Sequence, residues 1–188
     1  MRRALALVTL AGILVPTSSQ TGPQPCPGAQ AISGYTSIFT LNSDMLFELA
    51  DIVTGELDPE PEYEFTLCPN TVFDFNPPAG NNTNNTSPSI PLMPVLDNVI
   101  FKCGLTGSVD GGCIFNGGDT QVQIEDSTVG TYPITAVTFE GVTFAEFEDA
   151  AVSGGAASTT TVTIIDSNFE VSMCIAALIV IRLPWSRL

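Results

Sequence analysis

Three segments, VQIEDSTV (122–129), VTFEGVTF (137–144) and VTIIDSNF (162–169), superpose without gaps. Their first, third and eighth positions are apolar throughout: Val122, Ile124 and Val129; Val137, Phe139 and Phe144; Val162, Ile164 and Phe169. Two shorter units, IFNGG (114–118) and AVSGG (151–155), precede the first and third and match each other. Cys113 to Val137 spans 24 residues, Val137 to Val162 spans 25, and Val99 to Val122 spans 23. Such units hold strand-length runs broken by Gly, Asn, Asp and Ser, with no helical segment between them. None can bury its apolar face alone, so repeats have to stack around a shared interior. An all-β right-handed parallel β-helix of few rungs over residues 96–172 satisfies that need. An antiparallel sandwich, which also uses short strands at close intervals, is the alternative. The 15-residue step from Val122 to Val137 reads either as a full rung or as two faces of one rung.

VTFEGVTF and VTIIDSNF resemble the parallel β-helix repeat of pectate-lyase-like proteins, with a V-T-I-type strand, a short Asp/Glu-Gly/Ser turn and an inward Phe. The wider order, LCPNTVFDF, FKCG and GCIFNGGDTQVQI, is similar to secreted right-handed β-helix proteins of microalgae and other microbes. The resemblance covers roughly residues 65–172 and implies the fold. It is nearly silent on activity, because that scaffold carries lyases, hydrolases, epimerases, adhesins and inert surface proteins.

Ahead of the repeats, MRRALALVTLAGILVPTSSQTG joins Arg2 and Arg3 to an apolar run of about a dozen residues, short of the ~20 that span a bilayer. This pattern predicts a signal peptide over residues 1–19, with cleavage at Ser19 or one residue earlier. Export would place the five cysteines in an oxidising compartment. Two bridges among five cysteines allow 15 connectivities, from five leftovers and three pairings each. The reversal offered by GLTGSVDGG favours Cys103 with Cys113; Cys26 would then pair with Cys68, leaving Cys174 over. Residues 76–95 hold five prolines and form a loop, whose Asn81, Asn84 and Asn85 head glycosylation sequons. Residues 20–75 read as a cap section: a helix at about 43–54, capped by Asn42 or Ser43 and ended by Gly55, then strands at about 62–75. The helical stripe is Met45, Leu46, Leu49, Ile52 and Val53. Asp58, Glu60, Glu62 and Glu64 alternate with prolines and read as a solvated connector, with a calcium or mineral contact as the other option.

Charge narrows function by exclusion. The chain carries 20 acidic residues, 5 basic ones and no histidine, a net −15. Without Arg2 and Arg3, three cations face twenty anions, a net −17, so no nucleic-acid partner is expected. Mechanisms that need histidine have no residue to use within these 188 positions. A lyase-type proton abstraction needs a basic residue, and between residues 20 and 181 there is only Lys102. Paired carboxylates for glycoside hydrolysis exist on paper, Glu146 with Glu148 or Asp126 with Asp166, but the second pair looks like a turn residue recurring between rungs. Asn116, Asn168 and the threonines at 159–161 suit polar ladders or sugar contacts. No catalytic, cofactor or metal residue is assigned; weak Ca²⁺ uptake by the acidic turns is the one cofactor expectation. The expected partner is an extracellular polysaccharide or cell-wall surface, with no transmembrane segment in the mature form. The apolar tail 173–188 departs from the repeat. It reads as translated intron, since Val171-Ser172-Met173 can be encoded by a splice-donor sequence, or as an apolar cap over the last rung. The expected role is extracellular structure, adhesion or carbohydrate binding; the alternative is a polysaccharide-active enzyme cut short before its catalytic rungs.

Overall fold

A computed structural model describes residues 26, 33–76, 89–124, 134–154 and 160–170. Ser19, Asn81, Asn84, Asn85, Asp126, Cys174 and the tail 173–188 lie outside the described residues.

The helix α1 (Ile38–Thr54) begins earlier than the sequence predicts. Ser37 is the N-cap, with extended backbone and a side chain that accepts from the Thr40 amide at 3.2 Å. Asn42 and Ser43 are helical instead. The Asn42 side chain donates to the Pro91 carbonyl at 2.9 Å and accepts from the Met93 amide at 3.0 Å, while the Ser43 hydroxyl donates to the Phe39 carbonyl. The earlier start follows from Ile38 and Leu41, which extend the buried stripe of Met45, Leu49 and Ile52 by a turn. Leu46 and Val53, predicted inside, are exposed. Gly55 ends the helix in the left-handed conformation, its amide donating to the Asp51 and Ile52 carbonyls.

After α1 come β1 (Tyr63–Leu67), β2 (Val72–Asp74), β3 (Val99–Cys103), β4 (Cys113–Asn116), β5 (Thr120–Ile124), β6 (Ala136–Glu140), β7 (Val142–Ala145), β8 (Ala150–Gly154), β9 (Thr161–Ile165) and β10 (Asn168–Glu170). Every pairing among them is parallel. Three stacked sheets result, ordered β1-β3-β6-β9, β2-β4-β7-β10 and β5-β8, a β-helix-like arrangement in which each turn of chain visits the sheets in sequence. Parallel pairing rules out the antiparallel sandwich. Before α1, Tyr35 bridges Leu67 on the free side of β1, and Leu92 bridges Val122 in the third sheet.

The register corrects part of the repeat. Val137 pairs with Val162, Phe139 with Ile164 and Phe144 with Phe169, so the second and third segments do stack, 25 residues apart. Val122 does not join them. It pairs with Val152 in the third sheet, so the 15-residue step from Val122 to Val137 rounds a corner from one turn to the next. On the first sheet Tyr63 pairs with Val99 and Val99 with Val137, steps of 36 and 38 residues. IFNGG lies on the second sheet through β4 and AVSGG on the third through β8. The likeness does not extend to geometry: Gly117 and Gly118 follow β4 at positive φ, whereas Gly154 is the last residue of β8.

What the stack buries is aromatic. Phe65, Phe101 and Phe139 superpose on the first sheet with centroids 5.9 and 5.2 Å apart, Tyr35 heading the column at 5.6 Å. Phe73, Phe115, Phe144 and Phe169 do so on the second, at 5.5, 5.5 and 5.1 Å. The columns meet where Phe139 lies 5.5 Å from Phe144 and 6.3 Å from Phe115. Each ring pair adds about 0.5–1.5 kcal/mol beyond its buried area.

Candidate functional site: an outward sheet face beside a disulfide loop

Alternation along the first sheet sends every second residue out of the coil. Two outward columns result, Glu64–Ile100–Thr138–Thr163 and Thr66–Lys102–Glu140–Ile165. Lys102 is the single Lys or Arg among the described residues. Its ammonium lies 3.5 Å from the Glu64 carboxylate, an exposed pair worth about 0–1 kcal/mol. The face therefore combines three threonine hydroxyls, two carboxylates and one cation with Ile100 and Ile165.

A disulfide loop borders this face. Cys103 and Cys113 stand at disulfide distance with Cα atoms 5.7 Å apart, closing residues 104–112; Cys26 and Cys68 do the same at 5.3 Å. The loop leans across later rungs. Gly107 passes so near Glu140 that a Cβ there would sit 2.7 Å from the carboxylate oxygen, and the Val109 amide donates to the Asp166 carboxylate at 3.2 Å. Gly141 permits the crossing: with φ of +71°, a Cβ on it would lie 2.5 Å from the Ser108 carbonyl carbon. Asp166 follows β9 as Gly141 follows β6, also at positive φ.

Two polar residues that sequence reasoning missed hold the corners. Asp97 accepts from the Thr135 amide and hydroxyl and from the Asn98 amide, tying the entries of β3 and β6. Partial burial alone would raise its pKa, but these donors outweigh burial and hold the carboxyl below the ordinary aspartate range. Gln121 is fully buried, and its amide nitrogen donates to the carbonyls of Phe115, Gly117 and Ala145 at 3.0, 3.1 and 2.7 Å. Its carbonyl oxygen meets no partner among the described residues. In TQVQI nothing distinguishes Gln121 from the partly exposed Gln123. At the helix, the Tyr35 hydroxyl is pushed well up by burial and then by the Asp44 charge and hydrogen bond, so it stays protonated at neutral pH.

The remaining candidates are dispersed. Glu146 and Glu148 do not lie in an extended strand: Glu146 has φ of +53° and both occupy the corner after β7, their amides bonded to the Glu170 and Gly118 carbonyls. Asn116 is in register with Asp74 and Ala145, and Asn168 with Thr143, so they form no asparagine ladder. The Thr160 hydroxyl donates to the Ile134 carbonyl and the Thr161 amide to that of Thr135. Asp58, Glu60 and Glu62 are exposed, and the Glu60 amide donates to the Tyr63 hydroxyl. Among the described residues no group of three or more His, Cys, Asp or Glu side chains is placed to hold a metal ion, and no helix is long and apolar enough to cross a membrane. No protein-family model, curated protein or solved structure matches the chain.

Proposed function

We propose that this chain is an exported right-handed parallel β-helix that acts outside the cell in structure, adhesion or carbohydrate contact, without turning its ligand over. The right hand rests on the general rule for parallel crossovers within one sheet, obeyed in about 98% of cases. Two cysteine pairs at disulfide distance agree with an oxidising compartment.

The observation that supports the role best is the outward face of β1-β3-β6-β9. Thr138 and Thr163 stand one above the other, with Glu64, Thr66, Lys102 and Glu140 around them. Strands about 4.8 Å apart repeat these groups at intervals short enough for one polar chain to meet several in succession. Donors and acceptors at a fixed spacing on a rigid sheet suit a repeating polyhydroxyl polymer. Charge favours a neutral polymer over a polyuronate.

The test incubates the full chain with insoluble neutral and acidic polysaccharides and measures both retention and released reducing ends. Saturable retention without release, weakened several-fold by Thr138→Ala with Thr163→Ala, is the expected result. Release of reducing ends would overturn the non-catalytic reading and favour a polysaccharide-active enzyme. Glycosylation at Asn81, Asn84 or Asn85 is read separately, as a glycosidase-sensitive shift in gel mobility.

A further inference from the structure

The four strands of the first sheet hold their outward columns in direct register, Glu64–Ile100–Thr138–Thr163 and Thr66–Lys102–Glu140–Ile165. Behind them Phe65, Phe101 and Phe139 stack at 5.9 and 5.2 Å with ring planes 25° and 20° apart. Rotations this small keep the columns aligned from one rung to the next. With strands about 4.8 Å apart, the four rungs make a straight track of about 14 Å along the coil.

Every rung of the track offers a hydrogen-bonding side chain: Glu64 and Thr66, then Lys102, then Thr138 and Glu140, then Thr163. Neither column holds an aromatic ring, because Tyr63, Phe65, Phe101 and Phe139 occupy the alternate, buried positions of the same strands. A pyranose laid flat would rest on a broad ring; hydroxyls and carboxylates suit its hydroxyl edges instead. The disulfide loop decides which column leads. A Cβ on Gly107 would lie 3.3 Å from Lys102 Cγ and 3.0 Å from Glu140 Cβ, so residues 104–112 stand against the second column. The first column is two residues further from that loop on each strand. Lys102 is engaged by Glu64 at 3.5 Å, which leaves Glu140 as the unpaired charge of the face.

Taking the carbohydrate-contact reading above as its basis, we propose that this face is a four-subsite track for an extended, neutral, β-(1→4)-linked glycan, one sugar residue per rung, held by hydroxyl edges and not by ring stacking. A chain of this linkage turns each residue over relative to the last and stays straight, advancing by roughly one strand spacing per residue. An α-(1→4)-linked glucan curls away from a straight track. A polyuronate is extended too, but its carboxylates meet Glu64 and Glu140.

Calorimetric titration of the full chain with soluble β-(1→4)-linked glucose oligomers of two to six residues tests the track. Affinity should rise several-fold with each added residue up to four and then level off. α-(1→4)-linked glucose oligomers of the same lengths should bind at least tenfold more weakly. Thr138→Val with Thr163→Val removes two hydroxyls at similar side-chain size and should weaken binding about tenfold with circular dichroism unchanged. Thr138→Ser with Thr163→Ser keeps the hydroxyls and should retain most of the affinity, which serves if the valine variant does not fold. Equal affinity for the two linkages, no gain beyond two residues, full affinity without the hydroxyls, or no oligomer binding overturns the track. The carbohydrate reading itself falls only if retention on the insoluble polysaccharides is also absent.

Discussion

Phe139→Ala is the sharpest probe of the stacked interior. Phe139 is fully buried and lies 5.2 Å from Phe101, 5.5 Å from Phe144 and 6.3 Å from Phe115, so it is the ring through which the first aromatic column reaches the second. Truncating a buried Phe to Ala costs about 3–5 kcal/mol, a range that already includes lost ring contacts and the residual cavity. At about 1.4 kcal/mol per decade, the folded fraction relative to unfolded drops by two to more than three powers of ten. Domains hold about 5–15 kcal/mol in total, so a fold can survive this loss with little margin. The same chemical change at Phe39, 73% exposed on α1, is expected to stay within about 0.5 kcal/mol. Urea unfolding with disulfides intact, followed by circular dichroism, measures both. Phe139→Leu supplies an intermediate point if the alanine variant does not fold, and should cost less than Phe139→Ala because Ile164 shows an aliphatic side chain in the same column. Equal midpoint shifts for Phe139→Ala and Phe39→Ala, or a Phe139→Ala loss under about 1 kcal/mol, would refute the stacked core.

Three further outcomes follow from the corners. Gly141→Ala combines a positive φ with a backbone clash against Gly107 and Ser108, so it should destabilise by about 1–3 kcal/mol and speed proteolytic cleavage within 104–112. Replacing Cys103 and Cys113 together by serine opens a loop of sequence separation 10, for which the chain-entropy estimate is about 3 kcal/mol, read as a lower urea midpoint under non-reducing conditions. Asp97→Ala removes acceptors from Thr135 and Asn98 and should cost about 1–3 kcal/mol at neutral pH. Because the folded pKa of Asp97 is depressed, its contribution is full above the ordinary aspartate pKa and disappears as pH falls through the folded value. The gap between wild type and Asp97→Ala should therefore close in acid; a gap independent of pH would count against the carboxylate's role.

Much of the fold was legible because a stacked coil repeats its inward residues. Val137, Phe139 and Phe144 and their partners Val162, Ile164 and Phe169 carry the same pattern because they fill the same positions one turn apart. The outward face was less legible: Thr138 and Thr163 look like ordinary strand threonines until register places them in one column. Asp97 and Gln121 gave no local sign, because their partners lie up to 38 residues away.

By itself the amino-acid sequence determined that the chain is strand-rich, that its apolar faces need stacked neighbours, and that chemistry requiring histidine has no residue within these 188 positions. These properties are local, set by side-chain type and by the two-residue period of a strand. Tertiary structure alone decided which sheet each run joins. Val122 and Val137 share a pattern yet lie on different faces, because a strand's apolar period is the same on every face of a coil. Which face a strand takes depends on the corners before it, and those are settled by contacts such as Gly141 beneath the disulfide loop and Asp97 beneath Thr135.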